Sequence, residues 1–402
     1  MFRALTSLAF AASSLVAPLS AQDVTATLWT RVPIHSAILN EDRAIFVATP
    51  DGYEKGNNKF PVLVILDAED QPQFRLAVAN VGFLASRGTI PGMIVVGIPN
   101  GADRTHDLTP PATGSVTQRF PTAGGASKFA DFLIDEVLPF VRARYRTLPS
   151  TVLAGHSFGG LVALEVATRK PGAFTGVIAM SPALWWNDSS LVGSYYDVLA
   201  KSAKPQRLFI TSGGFEGDID RPTTRLALRL DSLKSSTIAF GHRRYPEDSH
   251  GLTPAPSLVD GLRFVFEPIA VSKLPIAMLG PGTDSAMLVQ ALNESIRKYA
   301  AGARTLGMDE RLPEEQLNQL GYVALQFLKN PALAIWIFRR NVDLYPESAN
   351  VYDSLGDALL VAGDTTGAKA QFRHAIDLGT RTGHPVVPES TRKLKELEAK
   401  TK

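Results

Sequence analysis

Between Arg43 and Phe266, short apolar runs alternate with segments whose apolar residues recur at helical spacing. Several runs, such as Val62–Leu66, are apolar at every position rather than at every second one. Strands buried on both faces have this composition, which is typical of a mostly parallel sheet covered by helices. The alternation therefore predicts an α/β fold. The predicted strands are Arg43–Thr49, Phe60–Leu66, Met93–Ile98, Thr151–Gly155, Gly176–Met180, Arg207–Thr211 and Thr237–Tyr245.

The N-terminal residues have the organisation of a secretory signal peptide. Arg3 precedes an apolar stretch over Ala4–Val16, Pro18 ends that stretch, and small residues follow up to Ala21. We expect a signal peptide over residues 1–21, with an uncleaved anchor as the alternative, and a periplasmic or secreted mature chain. Beyond this stretch no apolar run reaches the roughly 18 residues that span a bilayer, so no membrane span is expected in the mature chain.

The C-terminal part of the sequence has a purely helical pattern. It follows a Pro- and Gly-rich linker over residues 273–283, which separates a predicted α/β domain (22–272) from a helical domain (284–402). Asn330–Leu344 resembles Asp364–Leu378 at an offset of 34 residues. This period indicates tetratricopeptide-like repeats, with an ordinary helical hairpin as the alternative. Two units are few for such an array, so we expect the domain to pack on the α/β domain or to form a homodimer.

Composition excludes several classes of function. The chain of 402 residues carries 41 Lys and Arg against 39 Asp and Glu, a net charge of +2, and has no block of basic residues. Nucleic acid is therefore not expected as a partner. The sequence has no cysteine, which excludes a thiol nucleophile, a disulfide and a Cys-ligated metal.

The strongest motif is a Gly-x-Ser-x-Gly sequence centred on Ser157. It lies between the predicted strand Thr151–Gly155 and an apolar helical segment over Leu161–Thr168. In such an elbow the glycines permit a tight, strained turn that lifts the serine hydroxyl above the sheet at a helix N-terminus. Ser157 is therefore the candidate nucleophile, and the adjacent His156 is interpreted as a packing residue.

The partners of such a serine follow it in the order acid, then histidine. His250 lies in a polar loop between the strand Thr237–Tyr245 and a helical segment, which suits a general base, whereas His242 lies within the strand. The acid is expected just after Arg207–Thr211, where the candidates are Glu216, Asp218 and Asp220. Glu216 is preferred because it lies nearest the strand end.

The oxyanion of an acyl-transfer intermediate needs two N–H donors. The N–H of Phe158, directly after the nucleophile, is one candidate. The other is expected after Phe60–Leu66, at Ala68 or Glu69, with Glu69 preferred. An alternative interpretation is that the carboxylates of this loop bind a cation, but solvation of these groups or their pairing with arginine is favoured.

Taken together, these segments resemble the putative-esterase family of α/β-hydrolases, which includes enterochelin-type siderophore esterases, esterase D-like enzymes and feruloyl or acetylxylan esterase-like proteins. The resemblance spans about Leu28–Pro268. It is carried by Leu66–Glu69, where Ala68 replaces the family's glycine, by Asn100–Pro110, Gly155–Gly160, Met180–Trp186 and His250–Gly251, and by Asp260–Phe264.

The resemblance implies an α/β-hydrolase fold and a serine carboxylic-ester hydrolase with Ser157 as nucleophile, His250 as base and Glu216 as acid. The substrate is expected to be a small-molecule ester, with siderophore, feruloyl and acetyl esters left open. Trp186 and Arg104 are the candidate substrate contacts, and no cofactor or metal is required. Two alternatives are an acyltransferase with the same residues and a non-catalytic protein that binds a partner through its helical repeats.

Overall fold

The computed structural model describes residues 28–55, 57–68, 72–275 and 284–399. Its centre is a sheet of eight strands in the order β1-β2-β4-β3-β5-β6-β7-β8. The strands are β1 Thr30–Ser36, β2 Glu41–Ala48, β3 Phe60–Leu66, β4 Ile94–Ile98, β5 Thr147–His156, β6 Gly176–Met180, β7 Gln206–Gly213 and β8 Ile238–Tyr245.

The strands from β3 to β8 run parallel to one another, whereas β2 is antiparallel to both β1 and β4. The carboxyl ends of all parallel strands therefore lie along one end of the sheet, which we call the carboxyl-end edge. Their amino ends lie along the other end, which we call the amino-end edge. Ligands of open parallel sheets bind at the carboxyl ends of the strands. The topology thus brings the loops after β3, β5, β7 and β8 to one place.

Helices cover both faces of the sheet and form two apolar cores, one on each side. Short 3₁₀ turns also occur, including Trp186–Ser189 and Glu267–Ile269. The helices of the α/β domain are α1 Pro72–Ser86, α2 Arg104–Leu108, α3 Ser115–Arg119, α4 Ala126–Asp131, α5 Leu138–Arg144, α6 Phe158–Arg169, α7 Leu191–Ala200, α8 Gly217–Ser232 and α9 Pro254–Val265.

The predicted mostly parallel α/β sheet is confirmed, and most strand positions agree. β3 and β6 have the predicted bounds, and β5 extends the prediction at both ends. The sequence did not predict β1, because this edge strand is exposed or half-buried at most positions and has no apolar run. Strand β8 is the outermost strand on the other side of the sheet, next to β7, and is half-buried at most positions, whereas the central strand β6 is buried throughout.

The C-terminal region is helical throughout its described residues. Its helices are α10 Ser285–Leu306, α11 Glu314–Tyr322, α12 Pro331–Leu344, α13 Ala349–Val361, α14 Thr365–Thr382 and α15 Val387–Ala399, with a π-helical turn over Val323–Phe327 between α11 and α12. One apolar core joins this region to α1 and α9 on one face of the sheet. The expectation that the region packs on the α/β domain therefore agrees with the structure.

The contacts between the two regions lie at the amino-end edge. The backbone of α10 at Gly302 approaches the carbonyl of Pro268 so closely that a Cβ would collide with it. Gly307 lies against Pro149, which is near the start of β5, and Gln316 lies against Gly88, before β4. The helical region is therefore remote from the carboxyl ends of the strands.

In both predicted repeat units, the two helices pack through the same glycine–phenylalanine contact. Gly321 on α11 lies against the ring of Phe338 on α12, and Gly356 on α13 lies in the same way against Phe372 on α14. The second helix of each unit also begins with the same cap, since Asn330 and Asp364 each accept a hydrogen bond from the N–H three residues later. The sequence similarity thus corresponds to two helix pairs with equivalent packing.

Some predictions fall on residues outside the described ranges. These are the signal peptide over residues 1–21, the linker residues 276–283, and Glu69. Among the helices that the structure describes, none combines the length and apolar character needed to cross a membrane.

Candidate active site

The candidate nucleophile Ser157 lies in a sharp turn between β5 and α6. Its backbone has φ 59° and ψ −115°, a left-handed conformation that a non-glycine residue rarely adopts. The flanking glycines are needed for space: a Cβ on Gly155 would collide with the Gly159 carbonyl, and a Cβ on Gly160 would lie 3.0 Å from the Met180 oxygen. The turn places Ser157 at the carboxyl-end edge.

His250 and Glu216 are brought together at the same edge. His250 Nδ1 lies 2.6 Å from Glu216 Oε1, although the residues belong to the loops after β8 and β7. Glu216 Oε2 accepts hydrogen bonds from the Gly213 N–H at 2.5 Å and from Ser181 Oγ at 2.9 Å. The Glu216 side chain is fully buried, whereas 39% of the His250 side chain is exposed. One residue is thus fixed and shielded, and the other can reach a bound molecule.

Three hydrogen bonds keep Glu216 ionised despite its burial. Burial by itself would raise the pKa of the Glu216 carboxyl. The bonds from His250, from the Gly213 N–H and from Ser181 outweigh that effect and hold its pKa below the ordinary value. A buried, ionised carboxylate can orient the His250 ring and stabilise its protonated form.

The other acid and base candidates lie elsewhere. Asp218 is exposed, and Asp220 accepts hydrogen bonds from Ser212 at 2.7 Å and from Arg244 at 2.9 Å. His242 lies in the middle of β8, where burial lowers its pKa. Of the predicted candidates, the structure joins only Glu216 and His250.

Backbone contact holds the acid and base loops together. A Cβ on Gly214 would collide with the carbonyl of Pro246, and one on Gly213 would lie 2.6 Å from the Asp248 oxygen. The Gly214 N–H also donates to the Tyr245 carbonyl at 2.8 Å. The two glycines therefore permit the approach that places Glu216 beside His250.

The His156 ring packs against His250. The two ring centroids are 4.3 Å apart, with 37° between the ring planes. Burial, with a smaller contribution from repulsion by His250, lowers the pKa of His156 to about 4. Its Nε2 is buried and has no hydrogen-bond partner among the described residues. The sequence interpretation of His156 as a packing residue agrees with this position, but the sequence did not indicate that its neighbour would be His250.

One candidate oxyanion donor has a suitable position. Phe158 is the first residue of α6, so its N–H is among those that lack a partner within the helix. The N–H of Ala68 is engaged with the Ile98 carbonyl at 3.2 Å, which makes Ala68 unsuitable as the second donor. Glu69, the preferred candidate, lies outside the described residues.

Arg104 and Asp107 form ion pairs with different partners. Arg104 binds Asp67 through two hydrogen bonds, of 2.5 and 2.9 Å, and Asn100 donates a third to the same carboxylate. The Arg104 guanidinium also lies 5.5 Å from the centre of the Phe158 ring, and 34% of its side chain is exposed. Asp107 is buried against Arg43. Arg104 thus lies beside the start of α6, whereas Asp107 supports the loop.

The prediction that Trp186 contacts the substrate needs correction, because Trp186 is completely buried. Its neighbour Trp185 is partly exposed. Trp186 packs edge-on against Phe158 at 5.5 Å and against Phe120 at 5.2 Å, with distances between ring centres. Trp185 also contacts both phenylalanines, and the Arg119 guanidinium lies 5.6 Å from the centre of its ring. The sequence did not single out Phe120 or Arg119, which lie at the end of the short helix α3 in a segment without a motif.

Comparisons with known proteins agree with this architecture. Residues 36–226 match the profile of the family described as "Putative esterase". The siderophore enterobactin esterase of Emericella nidulans is 28% identical over 198 residues, which cover 40% of this chain and 65% of that protein. The ferri-bacillibactin esterase of Bacillus subtilis is 27% identical over 256 residues, covering 57% of this chain and 87% of that protein.

A solved structure extends the similarity. The IroE-like serine hydrolase from Shewanella oneidensis has a TM-score of 0.63 and 25% identity, covering 75% of this chain and 95% of its own. The match to the Emericella nidulans relative spans a little under two thirds of that protein's length. The strand order and the serine turn agree with the family profile, so the α/β domain of this chain resembles the putative esterase family.

Proposed function

We propose that this protein is a serine carboxylic-ester hydrolase that acts through an acyl-enzyme. The observation that carries the proposal is the 2.6 Å contact between His250 and the buried Glu216, at the edge where Ser157 is held in a strained turn. A serine hydroxyl is a weak nucleophile, and an oriented histidine beside it activates it. The similarity to siderophore esterases supports the same reaction class.

In the proposed mechanism His250 takes the Ser157 proton as Ser157 Oγ attacks the ester carbonyl carbon. The developing oxyanion accepts hydrogen bonds from the Phe158 N–H and, as we propose, from the Glu69 N–H. The C–O bond to the alcohol breaks, and His250 donates its proton to the leaving oxygen. Water then attacks the acyl-enzyme with His250 as base, which releases the acid and restores Ser157. Glu216 stays ionised and stabilises the protonated His250.

The surroundings of Ser157 favour an ester with an aromatic or anionic part. Trp185 and Phe120 offer a partly exposed aromatic wall beside Phe158. The Arg119 guanidinium lies at the same wall, as does that of Arg104, which is paired with Asp67 but remains 34% exposed. Stacking on the rings and attraction to the guanidinium groups would hold such a substrate. We propose siderophore-type esters as the first class to assay, with Trp185 in place of Trp186 as the aromatic contact and Arg104 as the cationic one.

We propose that the mature chain is periplasmic or secreted, because residues 1–21 have the organisation of a signal peptide. We also propose that the protein forms a homodimer through its helical region. Acyl transfer to an added alcohol is the second candidate reaction, because His250 and Ser157 would serve it equally. Assays with and without alcohol acceptors distinguish the two reactions.

The test is labelling of the purified protein with a fluorophosphonate probe, followed by hydrolysis of p-nitrophenyl acetate and of aryl and siderophore esters. We expect labelling and turnover in the parent protein, and neither in Ser157→Ala. Ser189→Ala is the matched control, because Ser189 also has a left-handed backbone, with φ 64°, but lies in the 3₁₀ turn Trp186–Ser189. It should still be labelled. Full activity of Ser157→Ala, or labelling at another serine, would contradict the proposal.

A further inference from the structure

Three side chains with metal-binding atoms, one of them next to Ser157 in the sequence, lie close together at the carboxyl-end edge. One ring nitrogen of His156, one of His250 and one carboxylate oxygen of Glu216 all lie within 4.8 Å of one another. His156 is the last residue of β5, whereas Glu216 and His250 belong to the loops that follow β7 and β8. Two imidazoles and one carboxylate are a recurrent ligand set for zinc, which usually adds a water as fourth ligand.

One of these side chains has an unused polar atom. His156 is more than nine-tenths buried, and its Nε2 has no hydrogen-bond partner among the described residues. A buried polar atom without a partner is costly, and a bound ion is one of its explanations. The partial exposure of His250 leaves a path from solvent to the cluster. Ligand atoms at ~2.1 Å from a tetrahedral ion lie about 3.4 Å apart, which is comparable to the separation of these three atoms, all within 4.8 Å of one another.

We propose that His156, His250 and Glu216 form a binding site for a zinc-class divalent cation, which inhibits the enzyme. The inhibitory consequence rests on the proposed function, whereas the binding does not. His250 needs both ring nitrogens for catalysis: Nδ1 bonds Glu216, and Nε2 takes the proton of Ser157. A cation on either nitrogen removes one of these roles. Bound zinc therefore prevents His250 from acting as an oriented base.

The binding test is calorimetric titration of the metal-free full-length protein with zinc chloride. We expect one equivalent to bind tightly to the parent protein, and its affinity to fall by about tenfold or more in His156→Phe, which removes the imidazole but keeps an aromatic ring. Glu216→Gln removes the carboxylate ligand, which lies in the loop after β7, and should also weaken binding. Magnesium, which prefers oxygen ligands, should not compete.

The matched control is His35→Phe. His35 Nδ1 lies 2.8 Å from Asp42 in an exposed hairpin, so it is a histidine–carboxylate pair without a third ligand. Zinc binding should be unchanged in this variant. If the parent protein binds no equivalent of zinc, or if His156→Phe binds it as tightly as the parent does, the proposed site is wrong. Circular dichroism verifies that each variant is folded.

The inhibition test compares initial rates of ester hydrolysis with and without zinc, each variant relative to its own uninhibited rate. Zinc should inhibit the parent protein and His35→Phe, and about tenfold more should be needed for His156→Phe. Binding without inhibition of an active enzyme would keep the site and overturn the inhibitory role. Binding to a protein that hydrolyses no ester would keep the site and count against the proposed function.

Discussion

The two edges of the central sheet use backbone conformation differently. At the carboxyl-end edge, β3, β5 and β6 are each followed by a polar residue with positive φ, namely Asp67 at 57°, Ser157 at 59° and Ser181 at 43°. At the amino-end edge, the turns before β4 and β6 use glycine for the same conformation, at Gly88 and Gly172, and Lys234 before β8 is an exception.

The side chains explain this difference. Asp67 binds Arg104, Ser181 donates to Glu216, and Ser157 is the candidate nucleophile. A glycine at any of these positions would relax the backbone but lose the side chain. Strained residues cost about 1–3 kcal/mol each and persist where surrounding structure or function requires them. At the carboxyl-end edge, residues with strained backbones are therefore retained because their side chains are needed, whereas the amino-end edge packs against the helical region.

The largest expected effect is on catalysis at the carboxyl-end edge. Glu216→Gln should lower kcat by about 10⁴-fold while the fold remains, because the loss of the carboxylate leaves the His250 ring in the wrong tautomer. Asp220→Asn is the matched control, since Asp220 contacts Ser212 and Arg244 instead of His250. Initial rates with an aryl ester measure both. Equal losses in the two variants would contradict the assignment of Glu216.

A pair of glycine substitutions compares the two edges directly. Gly214→Ala and Gly302→Ala each place a Cβ against a backbone carbonyl, of Pro246 and of Pro268. Each should lower the free energy of unfolding by about 1–3 kcal/mol. Only Gly214→Ala should also lose activity, by about 10²-fold, because it separates Glu216 from His250. Denaturant unfolding and ester hydrolysis, measured on both proteins, make the comparison. Loss of activity in Gly302→Ala would mean that the edges are coupled.

Relief of strain should stabilise the protein without restoring activity. Ser157→Gly is expected to be more stable than Ser157→Ala by about 1 kcal/mol, since only glycine tolerates φ 59° without cost. Both variants should be inactive. Lys234 has φ 44° at the amino-end edge, before β8. Lys234→Gly should gain a similar stability and keep its activity. Denaturation midpoints that do not distinguish Ser157→Gly from Ser157→Ala would contradict a strained elbow.

The smallest expected effect is the pH dependence of stability, which should have opposite signs in the two regions. Hydrogen bonds lower the pKa of Glu216, so its contribution is present above the unfolded value of 4.5 and is lost as the pH falls below it. Burial raises the pKa of Asp357, in α13, despite hydrogen bonds from Lys393 and Tyr322. The protonated Asp357 therefore favours the fold below 3.8, and this contribution is lost as the pH rises.

Thermal melts between acidic and neutral pH measure this effect. The stability difference between the parent protein and Glu216→Gln should be larger at neutral pH than at acidic pH. The difference between the parent and Asp357→Asn should change in the opposite direction. Parallel trends for the two variants would contradict the opposite pKa shifts.

The sequence was sufficient where local chemistry determines structure. Continuous apolar runs predicted β3 and β6, because strands that are buried on both faces are apolar at nearly every position. Chain order and strand ends singled out Glu216 and His250, and the structure brings them within 2.6 Å. The offset of 34 residues between Asn330 and Asp364 corresponds to two equivalent helix caps.

The sequence was insufficient where distant segments determine the outcome. Trp185 and Trp186 are adjacent, and the burial of Trp186 depends on its packing against Phe120 and Phe158, which are distant in the sequence. Pairing of the carboxylates after β3 with arginine was expected, but no local pattern could identify Arg104, 37 residues away, as the partner of Asp67. Contact of His156 with His250 likewise depends on the arrangement of β5 and β8 in the sheet.

The contact of Gly214 with the Pro246 carbonyl has a consequence for thermal motion. Two loops in backbone contact cannot move independently, because a displacement of one is transmitted to the other without the slack of a flexible side chain. Glu216 and His250 should therefore fluctuate as a single rigid body relative to Ser157, which is attached to a different strand. The hydrogen bond between acid and base would then persist while the distance to the nucleophile varies, and access to the reactive geometry would be governed by one collective displacement on the microsecond to millisecond scale typical of such motions.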